Sequence, residues 1–545
     1  MKRSPLHKYW SWLALAAIII FVVAIRIRLL QMPLARDEGE FAYMGQLLLQ
    51  GIPPYLIAYS MKLPGIYVAY ALVMAIFGQT ITGIHIGLML VNAVAIVLMF
   101  LLARRLFDDI AGIVAAAGYG LLSLSPSVLG TSAHATQFVV PLALGGTLLM
   151  LKSLDSGKYW MLLASGLLYG LAFIMKQHAI FFTMFALFYF IGRMLKTRPI
   201  DWKRLAGKTS LLVLASAIPF AVCCILLYTA GVFSRFWFWT FSYAQQYVAE
   251  VTLADAMQQF MLFAPEAITL WGWFWAFAAI SLTAIFWNEK ARSHCFFILG
   301  FSIFSFLTIC PGLFFRQHYF VTLLPAIALL AGVAVSAMVQ FLAQKKMPTL
   351  LKSLPVLVIA ATLIFPIIKL NNFFFLAEPV EACRMIYGAN PFPESVDIAD
   401  YIKRHSSRDD KIAVIGSEPQ IYFYADRKSA TGYIYVYGLM EPQAYASRMQ
   451  REMIKEIETV RPQYAVFVNF ATSWLRKENS DMTILEWAQT YLNANYRIVG
   501  IVDIFNDIYS AHWDEDVRGY RPASDTNVYV LERISGDAQA EKPAL

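Results

Sequence analysis

The 545-residue chain is 59% hydrophobic and only 15% charged. That excludes an ordinary soluble domain, because repeated uncharged runs of about 20 residues are the signature of helices that cross a bilayer. Its formal net charge of +8 is no nucleic-acid footprint, since Lys and Arg of such proteins gather in the loops of one face and set orientation.

The first ten residues, MKRSPLHKYW, are basic and lead into an uncleaved first span over residues 12–30. A loop rich in acids follows. The apolar stretch 65–77 is too short to cross comfortably and reads as re-entrant or interfacial. Further spans are expected over residues 84–102, 110–129, 135–154, 160–175, 179–195, 211–233, 267–287, 296–313, 319–342 and 350–370. With 65–77 excluded, Arg104/Arg105, Lys152/Lys158, Arg193/Lys196/Arg198, Lys290/Arg292 and Lys345/Lys346 share a side with the N-terminus. This predicts about eleven spans, N-terminus in the cytoplasm and C-terminus outside. Five cysteines (Cys223, Cys224, Cys295, Cys310, Cys383) have no metal-ligand spacing, and four lie in apolar runs.

The chain therefore divides into a membrane domain, residues 1–370, and a tail, residues 371–545. In the tail, SVDIADYIKRH and AYASRMQREMIKEIETV have helical periodicity. KIAVIG, YAVFVN, YRIVGIVDIF and NVYVLER read as strands. Such alternation predicts a small α/β domain outside the cytoplasm. It has no Gly-rich phosphate fingerprint and no metal-spaced cluster, which fits a lid or docking domain.

On the outer side this topology leaves few charges: Arg36, Asp37, Glu38, Glu40 and Lys62, then His134, Lys176, Arg235, Glu250, Asp255, Glu266, Arg316 and His318. Ionisable groups at a bilayer edge are costly unless solvated, paired or used. For Asp37 and Glu38 two readings stay open. One is a solvated helix start, with Asp37 as N-cap and Gly51 as stop. The other is a carboxylate acting as general base, its pKa raised by burial and lowered by a nearby cation. Arg26 and Arg28, near the outer end of the first span, suit lipid headgroups or snorkelling. Trp237 and Trp239 suit the interfacial aromatic belt.

RDEGEFAYMGQLLLQG, the turn PPY and then KLPGIYVAYALVMAIFG resemble the first outer loop of GT-C glycosyltransferases. The resemblance is to the bacterial side of the protein O-mannosyltransferase / lipid A aminoarabinose transferase superfamily. IMKQHAIFF is similar to that family's Lys-Gln step between two middle spans. FFRQHYFVTLLPAIALLAG is similar to its His-Tyr…Leu-Pro motif at a late span.

The resemblance implies a GT-C transmembrane fold with juxtamembrane helices over about residues 37–78, and a periplasmic tail in a bacterial inner membrane. It implies an inverting enzyme that moves a sugar from a polyprenyl-phosphate carrier to a glycan, lipid or protein acceptor. Asp37 would be the base and Glu38 its neighbour. Lys62, Lys176, Arg316 and His318 would face the donor phosphate, and Tyr43, Tyr55 and Gln137 the sugar or acceptor. The segment 233–260 would close over the substrates. In TSAHATQF, Gln137 stands where relatives have a second acid, so no required metal or other cofactor is expected. Two other classes remain open: a lipid or solute transporter, which calls for charges near mid-membrane or inverted repeats, and a noncatalytic scaffold.

Overall fold

The computed structural model describes residues 5–249, 251–505 and 508–534. It comprises a helical domain and an α/β tail. Helix α1, Pro5–Arg28, is followed by α2, Arg36–Leu49, and α3, Gly65–Phe77. Among the described residues, seven helices are long and apolar enough to cross a membrane by themselves: Tyr9–Arg28, Ile81–Leu106, Ala135–Ser156, Gln177–Leu195, Trp202–Thr229, Leu324–Gln344 and Thr349–Lys369. The expected straight span over 267–287 is instead a bent pair, Leu253–Thr269 and Gly272–Trp287, meeting at 94°. The other three expected spans are the shorter apolar helices Asp109–Leu122, Tyr159–Met175 and Cys295–Leu307.

Small residues let these helices approach closely, as membrane packing requires. A Cβ on Gly170 would lie 2.3 Å from the Ser216 carbonyl oxygen, and one on Gly166 2.5 Å from Ala215 Cβ. Neither Arg26 nor Arg28 snorkels. Arg26 is buried and donates to the carbonyls of Ser123 and Gly130 at 3.1 and 3.2 Å. Arg28 donates to the carbonyls of Phe373, Phe374 and Ala377 at 2.7–2.9 Å, tying the first span to the chain just past the last one. Carbonyls freed where a helix ends are suitable acceptors for both.

The tail is one six-stranded sheet: β1 Lys411–Ile415, β2 Lys428–Ser429, β3 Tyr464–Asn469, β4 Tyr496–Phe505, β5 Ile508–Trp513 and β6 Asn527–Arg533. The order is β2-β1-β3-β6-β4-β5. β1 is parallel to β2 and β3, and the remaining pairs are antiparallel. β1 and β3 are nearly continuous apolar runs because helices cover the sheet. All four strand readings hold; β2 and β5, short or partly exposed, had no such signal.

The tail sits directly on the first loop of the helical domain. Tyr43 of α2 stacks on Tyr422 with centroids 5.1 Å apart, and its hydroxyl accepts from Ser429 N at 2.8 Å. A Cβ on Gly39 would lie 2.6 Å from Gln420, so only glycine admits the tail this close. Tyr59 N donates to Gly432 O at 2.7 Å. This contact puts the start of α2 between the membrane helices and the tail.

Candidate active site

The N-cap of α2 is Ala35 rather than the expected Asp37. Glu38, at the third helical position, reaches back to accept from Ala35 N at 3.0 Å. Its other oxygen accepts from Ala133 N at 2.6 Å and faces His85 Nε2 at 3.1 Å. Glu38 is fully buried: it ties α2 to two neighbouring segments. Asp37, freed from capping, turns into a cavity of ≈ 330 Å³.

Lys62 Nζ lies 2.9 Å from Asp37 Oδ1 and 2.6 Å from Glu40 Oε2. Glu40 also accepts from the hydroxyls of Ser60 and Tyr67. On the far side of Asp37, His134 Nδ1 is 3.5 Å from Oδ2. The His134 ring stacks on His318, with centroids 4.3 Å apart and planes 7° off parallel. Lys176, in the turn after the helix Tyr159–Met175, sits 4.0 Å from the centre of the Tyr319 ring. Arg316 Nη2 donates to Tyr247 OH at 3.3 Å. Among the described residues neither Lys176 nor Arg316 has a carboxylate within 4 Å.

These neighbours set the charges. Burial alone would raise the Asp37 carboxyl, but Lys62, with help from His134, outweighs it and holds it well below the ordinary carboxylate range. Asp37 is therefore ionised at neutral pH. Burial lowers the Lys62 ammonium, yet Asp37 and Glu40 outweigh that and raise it. For Lys176 burial wins: with help from Lys62 and Arg316, and against Asp37, it lowers the ammonium to about 7. Burial, His134 and Lys176 push His318 well below its usual value, so its ring is neutral.

The structure thus brings together five of the nine residues expected at the site: Asp37, Lys62, Lys176, Arg316 and His318. The other four lie elsewhere. Glu38 anchors α2, and Tyr43 docks the tail. Tyr55 is fully buried and donates to Lys62 O at 2.6 Å, holding the loop. Gln137 is buried and donates to Gly130 O at 3.2 Å. Glu250 lies outside the described residues. The segment after residue 233 does line the cavity, through Trp239, Tyr243 and Tyr247. Part of it, Phe238–Tyr243, is a π-helix, a form found mostly at functional sites.

Sequence reasoning missed His134 and Glu40 as site residues, although both stand in the stretches it singled out. It also missed the tail wall. Tyr435, Tyr437 and Glu441 line the cavity, and Tyr435 OH is 3.5 Å from Asp37 Oδ1. No local signal marks them.

One oxygen and two imidazole donors from Asp37, His134 and His318 lie within 4.8 Å of one another. Both ring nitrogens of His134 lack a hydrogen-bond partner. The donor set suits a borderline divalent ion. Two donors about 2.1 Å from one ion can be at most about 4.2 Å apart, so a set spread over as much as 4.8 Å is slightly open, and Lys62 already holds one Asp37 oxygen.

Residues 62–223 match the family model described as dolichyl-phosphate-mannose-protein mannosyltransferase. No curated protein matches the chain. Among solved structures, ArnT from Cupriavidus metallidurans, bound to undecaprenyl phosphate, is similar at 15% identity and a TM-score of 0.57, over 98% of this chain and 99% of that one. The oligosaccharyltransferase of Archaeoglobus fulgidus in its apo form is similar at 12% identity and a TM-score of 0.55, over 96% and 76%. The oligosaccharyltransferase AglB from Archaeoglobus fulgidus, in complex with an inhibitory peptide and a dolichol-phosphate, gives 13% and 0.53, over 94% and 75%. The chain therefore shares the fold of these solved transferases along nearly its whole length, and over residues 62–223 it matches the mannosyltransferase family model.

Proposed function

We propose that the protein is an inverting membrane glycosyltransferase that moves a sugar from a polyprenyl-phosphate carrier to an acceptor hydroxyl. One observation carries the reading: an ionised Asp37 shares a cavity with Lys176 and Arg316, two cations free of carboxylate partners among the described residues. Asp37 takes the acceptor proton as the acceptor oxygen attacks C1 of the sugar. The C1–O bond to phosphate breaks, and the polyprenyl phosphate leaves with the electron pair. Lys176 and Arg316 meet the charge that develops on the phosphate. Lys62, held by two acids, keeps Asp37 ionised and aimed. The aromatic wall of Trp239, Tyr243 and Tyr247 offers faces for a sugar or a lipid chain. Fold neighbours solved with undecaprenyl phosphate and dolichol-phosphate support the donor class.

Asp37→Asn is expected to fold normally but to lose at least about 100-fold in rate, the usual worth of a positioned base. Purified protein in lipid would be given a panel of short-chain polyprenyl-phosphate sugars with an envelope extract as acceptor. Release of polyprenyl phosphate would be followed by mass spectrometry. Wild-type release by the variant overturns the assignment.

The pH dependence is a second expectation. Lys176 carries its proton below about 7 and loses it above. Donor KM therefore rises as pH climbs through this value, by as much as about tenfold per unit. Lys176→Arg removes the rise, because a guanidinium stays charged. A flat KM in the wild type together with an unchanged KM in Lys176→Ala refutes the phosphate role.

The donor set of Asp37, His134 and His318 favours a second reading, in which these residues hold a divalent cation and Asp37 is a ligand. When bound, such an ion would act as a Lewis acid toward the phosphate. Under the first reading, turnover is unchanged after dialysis against EDTA. Loss of turnover, restored by Mn²⁺ or Zn²⁺, selects the second.

The proposal puts the reaction outside the cytoplasm, because the distribution of positive charge favours that side for the tail. A cysteine at exposed Lys403, in a background lacking the native five, is expected to react with an impermeant maleimide in intact cells. Protection until lysis reverses the orientation.

A further inference from the structure

Open α/β sheets bind ligands in the crevice beyond the carboxyl ends of their parallel strands. The tail has such a crevice beyond β1 and β3. Ser417 N donates to Ser473 Oγ at 2.8 Å, and Ser473 Oγ donates to Glu418 Oε2 at 2.6 Å, joining the two loops. The occupant belongs to the same chain. Arg36, the first residue of α2, donates through Nε to Ser417 O at 2.6 Å, through Nη1 to Tyr437 OH at 2.8 Å and through Nη2 to Glu418 Oε1 at 2.7 Å. Its guanidinium lies 5.4 Å from the Phe392 ring and 5.7 Å from the Tyr437 ring. The Glu418 side chain is fully buried and that of Arg36 is 10% exposed.

A buried ion pair adds little net stability, because desolvation offsets its attraction. A planar guanidinium gripped on three sides does fix direction. Here it fixes the residue immediately before Asp37. Tyr437 joins the two places: it accepts from Arg36, donates to Thr472 O at 2.6 Å and also lines the cavity.

We propose that the tail crevice binds Arg36 in place of a separate ligand, and that Arg36 acts as a positioning residue that sets the Asp37 carboxylate toward its substrate. The tail then governs turnover through α2, in addition to supplying a wall of the cavity. This inference rests on Asp37 being the base.

The test uses the full-length protein with Arg36→Lys, which keeps the charge and loses the fork, and Glu418→Gln, which keeps the shape and loses the charge. Amide hydrogen exchange, which needs no substrate, is read over residues 36–41 and over β1 and β3. Turnover is read in the donor assay. Exchange at the start of α2 is expected to quicken while β1 and β3 stay protected. The rate at saturating donor is expected to fall about 100-fold with donor KM within about twofold, as for a small misplacement of a reacting group. Wild-type exchange at α2 overturns the inference. So does faster exchange with an unchanged rate, or faster exchange throughout the tail, which makes the pair a stabiliser only. An active Asp37→Asn removes the base assignment and leaves the exchange result standing. An inactive Asp37→Asn beside a fully active Arg36→Lys removes the positioning alone.

Discussion

The Lys62 ammonium, set between the Asp37 and Glu40 carboxylates, is the interaction on which the site depends. Asp37 and Glu40 are three residues apart on α2, a spacing that puts two side chains on one helix face. Two carboxylates so placed and withdrawn from bulk water repel, and one would take up a proton. A single cation between them offsets that repulsion and holds Asp37 ionised. The loop bearing Lys62 is in turn held by Tyr55, Ser60 and Tyr67, whose hydroxyls bond to Lys62 O or Glu40. Pairing with the two acids occupies Lys62, so in the proposed mechanism Lys176 and Arg316 are the cations that meet an anionic leaving group. Two kinds of cation thus share one cavity: one paired with the chain's own acids and two lining the wall without a carboxylate partner among the described residues.

Much of this was legible from local chemistry. Apolar runs gave the helices, and alternating helices and apolar strands gave the tail. The outer-loop charges that composition could not otherwise explain, Asp37, Lys62, Lys176, Arg316 and His318, do converge. What was not legible was set by packing between distant segments. Glu38 looks like Asp37 in sequence but is consumed by Ala35, His85 and Ala133. Tyr43 and Tyr55 have suitable chemistry, yet one faces the tail and the other its own loop. Gln137 stands one helical turn past His134, on the side facing Gly130. The break in the span over 267–287 falls at Leu270–Trp271, between Thr269 and Gly272, a weak signal inside an apolar run, and Trp271 there is buried in the helical core.

The tail wall was hidden for a simpler reason. Tyr435 meets Asp37 across 398 positions of chain, and no periodicity reaches that far. Composition favoured a lid without chemistry of its own. The geometry gives the tail a closer part: its Tyr435 hydroxyl stands 3.5 Å from the carboxylate, and its helix Gln420–Ala425 packs on α2 at Gly39.

That arrangement has a consequence for biosynthesis. Arg36 and Glu418 are 382 residues apart, so at ~5–20 residues per second the ribosome needs on the order of 20–80 s to supply the partner once Arg36 has been made. Through that interval the guanidinium and its neighbouring acid must remain hydrated while span after span inserts. The site is completed only when the last span has released the tail to fold back on the first loop. A nascent chain that has already received all its membrane helices is therefore still without its finished cavity.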